Sequence, residues 1–364
     1  MESSKLKLVI PWRALTMVGA LLLIWVVFSV ATHGLYLQPR NLSNLMRQMS
    51  LTSILAVGMV LVIVAGQIDL SVGAMTGLLG AVSALLFVDH SWPLWGAILA
   101  TLFLGAVLGH VQGHLVTWFN IPPFIVTLGG MLIFQGALLG ITGGVAVSPT
   151  PDYLYISQAY LPPTIGWIVT AALGLWFSFL ALRSKGQARL KWLVMILLAC
   201  GLTWVMNAYE GIPLPGLLML ILALVFSIVA NLTPYGRHLY AIGGNREAAF
   251  YSGINIKQHL VLVFTLMGAL CGVAGIVLTA RVGAASSDAG RMMELDAIAA
   301  VVIGGTSLMG GRGTVWGALL GALVMASLDN GLFMMNTEAF WIPIIKGGIL
   351  VIAVALDMMG RKSN

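Results

Sequence analysis

The sequence predicts an all-α polytopic membrane protein, a bundle of about 10–12 transmembrane helices of which some are broken or re-entrant. Hydrophobic residues make up 59% of the 364 residues and charged residues only 8%, whereas a soluble domain has about 25% charged residues. The mean hydropathy is +1.00, and several apolar runs approach or exceed the roughly 18 residues that cross a bilayer. These runs do not alternate between polar and apolar residues, which excludes a transmembrane β-barrel.

The apolar runs give twelve candidate spans in chain order, at residues 14–31, 51–65, 72–88, 94–116, 124–141, 165–182, 192–206, 216–232, 260–280, 296–304, 314–328 and 340–356. The spans beside Asp69 and Asp296 are the weakest, because polar residues interrupt them. Ten full crossings with one or two re-entrant pieces is therefore the alternative. The polar loop at 142–164 is expected to be exposed, and RNLSNLMRQ at 40–48 is expected to be a short amphipathic piece in the membrane interface.

The first apolar run follows the basic residues Lys5, Lys7 and Arg13. It is long for a signal-peptide core, so we interpret it as a retained helix. Twelve crossings place both termini on one side, and the richer Lys and Arg content of that side predicts that it is cytoplasmic. The net charge of +6 is dispersed over short loops, so the expected partner is a lipid membrane and not nucleic acid.

Four ridges of small residues predict close helix packing. Glycines recur at intervals of three or four residues, which places them on one helix face and allows neighbouring backbones to approach. The ridges are Gly73, Gly77 and Gly80; Gly105, Gly109 and Gly113; Gly268 and Gly272; and Gly313, Gly317 and Gly321.

The longest basic polar interval covers residues 235–259. Gly243 and Gly244 predict a turn, and Asn245 is a suitable N-cap for a short helix at 246–250. Gly253 is placed to end that helix. The loop alone leaves two interpretations open, a docking helix for a cytoplasmic partner or an ordinary connection.

This interval carries a family resemblance. Glu247-Ala248-Ala249 followed by Gly253 matches the start of the "EAA" coupling loop of bacterial ATP-binding cassette (ABC) importer permeases, although the usual Ile-x-Leu-Pro tail is absent. Further blocks agree, namely QIDLSVG at 67–73, PFIVTLG at 123–129, and ELDAIA at 294–299 running on to GGTS at 304–307. Over about residues 37–357 the chain resembles the sugar permeases of the ribose, xylose and arabinose type.

The resemblance implies one transmembrane permease domain over residues 1–364, with a cytoplasmic coupling loop at about 233–259. It implies a permease homodimer in the bacterial inner membrane, served by cytoplasmic ABC ATPase subunits and a periplasmic sugar-binding protein. The implied cargo is a monosaccharide, with D-xylose favoured over another pentose or hexose. The coupling-loop residues would be Gly243, Gly244, Asn245, Glu247, Ala248, Ala249 and Gly253.

Polar residues at helix breaks are the candidates for the translocation path, namely Asp69, Ser71, Glu294, Asp296 and Thr306. Asp69 and Asp296 each precede a predicted helix start, so helix capping is favoured over sugar contact for both. IDLSVG and LDAIAA are faintly alike, which an internal duplication would explain and chance explains equally well.

Nothing in the sequence predicts a catalytic site, a metal site or a cofactor. The Walker A motif is absent, so a separate subunit is expected to hydrolyse ATP. His110 and His114 lack the glutamate and third ligand of a zinc site, and Cys200 and Cys271 lie in apolar spans. Two rival functions remain, an ion-coupled secondary sugar transporter that uses Asp69 and Asp296 as ion sites, and an integral membrane enzyme.

Overall fold

A computed structural model of the protein describes residues 12–184 and 186–362, so Lys5, Lys7 and Lys185 lie outside the described part. The described residues form fifteen α-helices and one short antiparallel pair of strands. The predicted all-α polytopic fold class is therefore confirmed.

The helices are α1 (Trp12–Ala31), α2 (Pro39–Val64), α3 (Val72–Val88), α4 (Leu94–Trp118), α5 (Pro123–Thr142), α6 (Pro151–Gln158), α7 (Pro163–Arg183), α8 (Gln187–Asn207), α9 (Leu214–Leu232), α10 (Pro234–Gly244), α11 (Arg246–Tyr251), α12 (Ile256–Val282), α13 (Met293–Ile303), α14 (Val315–Met334) and α15 (Trp341–Lys362). A 3₁₀ turn at Leu35–Leu37 joins α1 to α2. The strands β1 (Tyr160–Leu161) and β2 (Ile212–Pro213) pair Tyr160 with Pro213.

Helix length separates the crossings from the shorter pieces. Seven described helices are long and apolar enough to cross a membrane, namely α2, α4, α5, α7, α9, α12 and α14. Four shorter apolar stretches lie at Met17–Ala31, Val72–Val88, Trp192–Asn207 and Trp341–Ile352. The 11 residues of α13 rise only about 16 Å, about half of the hydrocarbon core. The tenth predicted span is thus not a full crossing, and the re-entrant alternative is favoured.

The centre of the bundle is formed by α2 and α12, whose most apolar windows are 78% and 72% buried, against 17% for α7. The prediction of a separate amphipathic piece before the second span is wrong. Residues 40–48 are the first turns of α2, which runs on without interruption to Val64. No glycine or proline separates the two parts, so nothing breaks the helix between them.

The glycine ridges pack helices as predicted. Gly105 of α4 meets the carbonyl oxygen of Gly268 on α12, so that a side chain at either position would collide with the opposite backbone. Gly113 lies further along α4 and meets Val261, which precedes Gly268 in α12. The two helices are therefore antiparallel and in backbone contact, the arrangement that small residues permit in membrane proteins.

A long helix, a chain reversal and a short helix occur in this order twice. After α2 the chain is non-helical from 65 to 71 before α3, and after α12 it is non-helical from 283 to 292 before α13. Each short helix then runs toward the C-terminal end of the other central helix. Gly80 of α3 lies against Thr279 of α12, and beyond α13 the amide of Gly311 donates to the Val64 carbonyl of α2 at 2.9 Å. This arrangement favours an internal duplication in opposite directions.

The prediction that 142–164 is an exposed loop is wrong in part. The segment contains α6, which begins with Pro151 at its first position. Tyr153 of α6 is fully buried, and its hydroxyl donates to Ser83 Oγ at 2.9 Å. Val147 also forms an isolated antiparallel bridge with Ala285. The segment therefore packs against the bundle through α6 while its remaining residues are mostly exposed.

Candidate functional site

The polar interval after α9 folds into two consecutive helices, α10 and α11. The first was not predicted, and Gly243 and Gly244 form its last turn in place of the expected loop turn. The Thr233 side chain accepts from the Gly236 amide at 3.2 Å, and Pro234 occupies the first helical position. A Thr-Pro pair at a helix start is the sequence signal that could have indicated α10.

The C-terminal end of α10 is held by backbone contacts. A side chain on Gly243 would collide with the carbonyl oxygen of Val64, the last residue of α2. The Gly311 amide donates to that same carbonyl at 2.9 Å, and the Tyr240 hydroxyl donates to the Gly313 carbonyl at 2.8 Å. Three segments, α10, the end of α2 and the loop after α13, therefore meet at one end of the bundle.

The predicted short helix is confirmed as α11. The Asn245 side chain accepts from the Ala248 amide at 2.9 Å, which is the expected N-cap. Ala249 is only 3% exposed and is the one buried residue of α11. Gly253 follows with φ +82°, a backbone conformation that favours glycine and ends the helix.

The opposite face of α11 is exposed. Arg246, Glu247 and Ala248 are exposed, while the aromatic side chains of Phe250 and Tyr251 are 65% and 84% exposed. Large aromatic side chains left open beside charged residues are typical of protein–protein contacts. The helix is thus anchored through one alanine and presents its other side chains outward.

Among the polar break residues, Asp69 and Ser71 lie together. Asp69 is 1% exposed, and its Oδ1 accepts from the Ser71 amide at 2.8 Å and from the Ser71 hydroxyl at 2.7 Å. Gln112 of α4, which the sequence did not indicate, donates from Nε2 to Ser71 Oγ at 2.9 Å. Asp69 thus binds the amide just before α3 and none inside the helix, so its predicted capping role is met in part.

The capping role predicted for Asp296 is wrong. The α13 helix begins at Met293, three residues earlier, and the Asp296 carboxylate binds Lys346 Nζ at 2.7 Å. Lys346 also binds Asp329 at 3.0 Å, which joins α15 to both α13 and α14. A lysine inside an apolar span was the available signal, because a charge at that depth needs an opposite charge nearby.

Glu294 and Thr306 occupy separate positions. The Glu294 carboxylate lies directly against the α carbon of Gly73, in space that a side chain there would fill. Thr306 is buried in the loop after α13, next to Gly313, and its hydroxyl has no hydrogen-bond partner among the described residues. Because Gly73 follows Ser71 by two positions, Glu294 lies beside the start of α3. Asp296 is instead paired with Lys346.

Residues 41–354 match the family described as the branched-chain amino acid transport system / permease component. The chain belongs to this permease family. The matched part includes α10, α11 and every polar break residue described above.

Three relatives match the permease over nearly the full length of both chains. The permease is 46% identical to the xylose transport system permease protein of Escherichia coli, covering 97% of this chain and 93% of the relative. It is 44% identical to the protein of the same name from Haemophilus influenzae, covering 95% and 96%. Identity to the ribose import permease protein of Bacillus subtilis is 35%, covering 92% and 90%. No solved structure gives a significant match to the permease.

Proposed function

We propose that this permease is the membrane-spanning subunit of an ABC importer that carries D-xylose across the bacterial inner membrane. The observation that carries the proposal is the near full-length identity of 46% and 44% to xylose transport system permease proteins. Identity to ribose and D-allose permeases is lower, at 35% and 32%. This difference supports a pentose of the xylose type over the other monosaccharides.

ATP hydrolysis is assigned to separate cytoplasmic ATPase subunits that bind the exposed face of α11. The complex would contain two copies of the permease, with both chain termini on the cytoplasmic side, and a periplasmic sugar-binding protein would deliver the substrate. The outward Phe250 and Tyr251 side chains support docking at α11, since exposed aromatic residues often anchor protein contacts.

The coupling mechanism follows from the contacts of α10. ATP binding would draw the ATPase subunits together and displace α11 and the adjoining end of α10. Gly243 would transmit that displacement to Val64 at the end of α2, directly before the reversal that holds Asp69 and Ser71. The ATPase must bind the two conformations of the permease with different affinities, because a ligand shifts an equilibrium only through such a difference.

The polar break residues are proposed to maintain the reversals, and none is assigned to direct sugar contact. Asp69 and Ser71 satisfy the polar groups of the chain where α2 ends and α3 begins. Non-helical backbone within a membrane needs such internal partners. Glu294 and Asp296 lie in the first turn of α13, directly after the matching reversal, and Thr306 belongs to the loop that follows α13.

Transport by the reconstituted complex tests the energy source. Proteoliposomes that contain the permease, its ATPase and the binding protein are expected to accumulate labelled D-xylose only when ATP is supplied. Uptake should persist with a protonophore and in sodium-free buffer, since no ion gradient is used. Uptake without ATP that a protonophore abolishes would instead identify an ion-coupled secondary transporter.

One substitution in α11 and one directly after it test the docking role. Glu247→Lys and Gly253→Asp are expected to weaken binding of the ATPase by about tenfold or more, because a few central residues carry most of an interface's energy. Both variants should still insert in the membrane, because Glu247 is exposed and, among the described residues, no surrounding atom lies within 4 Å of a Cβ on Gly253. An aspartate at φ +82° strains the turn after α11 locally. Affinity is measured by titrating purified ATPase onto immobilised permease.

The matched control is Glu338→Lys, which reverses the charge of an exposed glutamate in the loop between α14 and α15. This variant should bind the ATPase as the unaltered permease does. Wild-type affinity in the Glu247→Lys variant would contradict docking at α11.

A further inference from the structure

A polar cleft of about 460 Å³ lies beside the N-terminal turns of α2. One wall is the segment predicted to lie in the membrane interface, which contributes Arg40, Asn41, Asn44 and Arg47. These residues repeat every three or four positions and share one face of the helix. The opposite wall contains the two aromatic side chains Tyr160 and Tyr209.

The cleft lies far from α11. Val64 at the C-terminal end of α2 contacts Gly243, and Arg40 precedes Val64 by 24 positions in the same helix, a rise of about 36 Å. Under the proposed function α11 faces the cytoplasm, so the cleft opens toward the side from which the sugar arrives. The role inferred for the cleft rests on that assignment.

The walls of the cleft are held in position. Asn41 Nδ2 donates to the Tyr36 carbonyl at 2.8 Å and to Asn330 Oδ1 at 2.9 Å, which fixes α2 against α14. The Arg47 guanidinium lies 4.4 Å from the centre of the Tyr160 ring. Its Nη2 donates to the Gln158 carbonyl oxygen at 3.4 Å, so the guanidinium is held between Gln158 and the tyrosine ring.

The charges limit what the cleft can bind. Within the described residues no carboxylate forms a salt bridge with Arg40 or Arg47, and the nearby Arg281 repels Arg47. Glu210 follows Tyr209 in the chain but pairs with neither arginine. Glu210 acts electrostatically on Tyr160, which lines the cleft. The two arginines outnumber this carboxylate, so the charges disfavour a cationic ligand.

The mixture of groups favours a neutral polyhydroxylated ligand. Asparagine amides offer both donors and acceptors, and guanidinium groups add further donors, which suits hydroxyl groups that donate and accept. An acidic peptide would be bound by hydrogen-bond donors alone, so the acceptor oxygens of the asparagine amides would have no role in binding it. The tyrosine rings offer apolar surface for the C–H faces of a sugar ring. A cavity of this volume lies within the range that small-molecule sites occupy.

We infer that this cleft is a low-affinity monosaccharide-binding site, which receives the sugar after its release from the soluble binding protein and before it enters the bundle. Weak binding suits this position, because a tightly held sugar would not move on. Asn44 is the preferred residue for a test, since it is exposed on the helix and lines the cleft.

Saturation-transfer NMR of D-xylose with the full-length permease in detergent measures binding at the cleft. The unaltered permease is expected to give a ring-proton signal, and Asn44→Ala should weaken the apparent affinity about fivefold, the effect of losing one hydrogen bond. Arg47→Met should weaken it at least as much. Asn231→Ala alters an exposed asparagine of α9 that bonds only within its own helix and should leave the signal unchanged.

The cleft site and the importer assignment can fail independently of each other. Absence of a D-xylose signal with the unaltered permease, in a preparation that imports D-xylose with its partners, would overturn the cleft site and leave the importer assignment intact. Unchanged affinity in Asn44→Ala and Arg47→Met would also overturn it. Loss of binding-protein affinity in these variants, with sugar affinity retained, would show that the cleft is a protein-docking surface.

Discussion

The Lys346→Met variant is expected to lose about 3–5 kcal/mol of folding stability, because removal of one partner leaves the other charges of a buried ion cluster uncompensated. Lys346 Nζ lies 2.7 Å from Asp296 and 3.0 Å from Asp329, and about four-fifths of its side chain is buried. The lysine is the only one of the three residues on α15. Its loss should therefore release α15 from α13 and α14. Thermal unfolding in detergent, followed by size-exclusion chromatography, measures the effect.

Two control variants separate charge from shape in this cluster. Lys346→Arg keeps the positive charge and should retain most of the stability. A triple variant, Lys346→Met with Asp296→Asn and Asp329→Asn, removes all three charges and should recover much of what the single variant loses. If Lys346→Met unfolds at the temperature of the unaltered permease, the ion cluster does not hold α15.

The Gly268→Leu variant is expected to separate α4 from α12 and to destabilise the bundle by about 3 kcal/mol, the upper part of the range for overpacked cores. Gly268 and Gly105 each lie against the other's carbonyl oxygen. Backbone atoms cannot move aside as a flexible side chain can, so the helices themselves must shift. The measurement is the yield of monodisperse protein together with its unfolding midpoint in detergent.

Gly136→Leu provides the matched control for Gly268→Leu. Gly136 lies in the middle of α5, and no atom of its described surroundings is within 4 Å of the position that a Cβ would take. The substitution adds the same side chain to a helical glycine without a collision. Equal stability of the two variants would show that the contact between α4 and α12 contributes little.

Much of the fold follows from local signals in the sequence. The apolar run at Val72–Val88 is predicted to the residue because a polar break precedes it and Asp89 follows it. The α11 helix is likewise predicted by residues within and beside it, namely Asn245 at its start and Gly253 after its end. Such signals act over a few positions, so a single sequence is enough to read them.

The features that sequence reasoning missed depend on partners far along the chain. Asp296 resembles a helix cap when only its neighbours are considered, but Lys346, 50 positions away, determines its role. Gln112 carried no local signal for its bond to Ser71. The polar face of 40–48 suggested a membrane interface, because nothing nearby in the chain shows that Tyr160 and Tyr209 lie opposite it across a cleft.

The meeting of Gly243 with Val64 also limits how motion can pass through the molecule. A side chain between α10 and α2 could absorb a small displacement by changing its rotamer. Two backbones in direct contact cannot absorb a displacement in this way. Under the proposed coupling role, a displacement of α11 would therefore pass through α10 to the end of α2 with little loss. The non-helical segment at 65–71, which follows Val64, is the next part of the chain that it would reach.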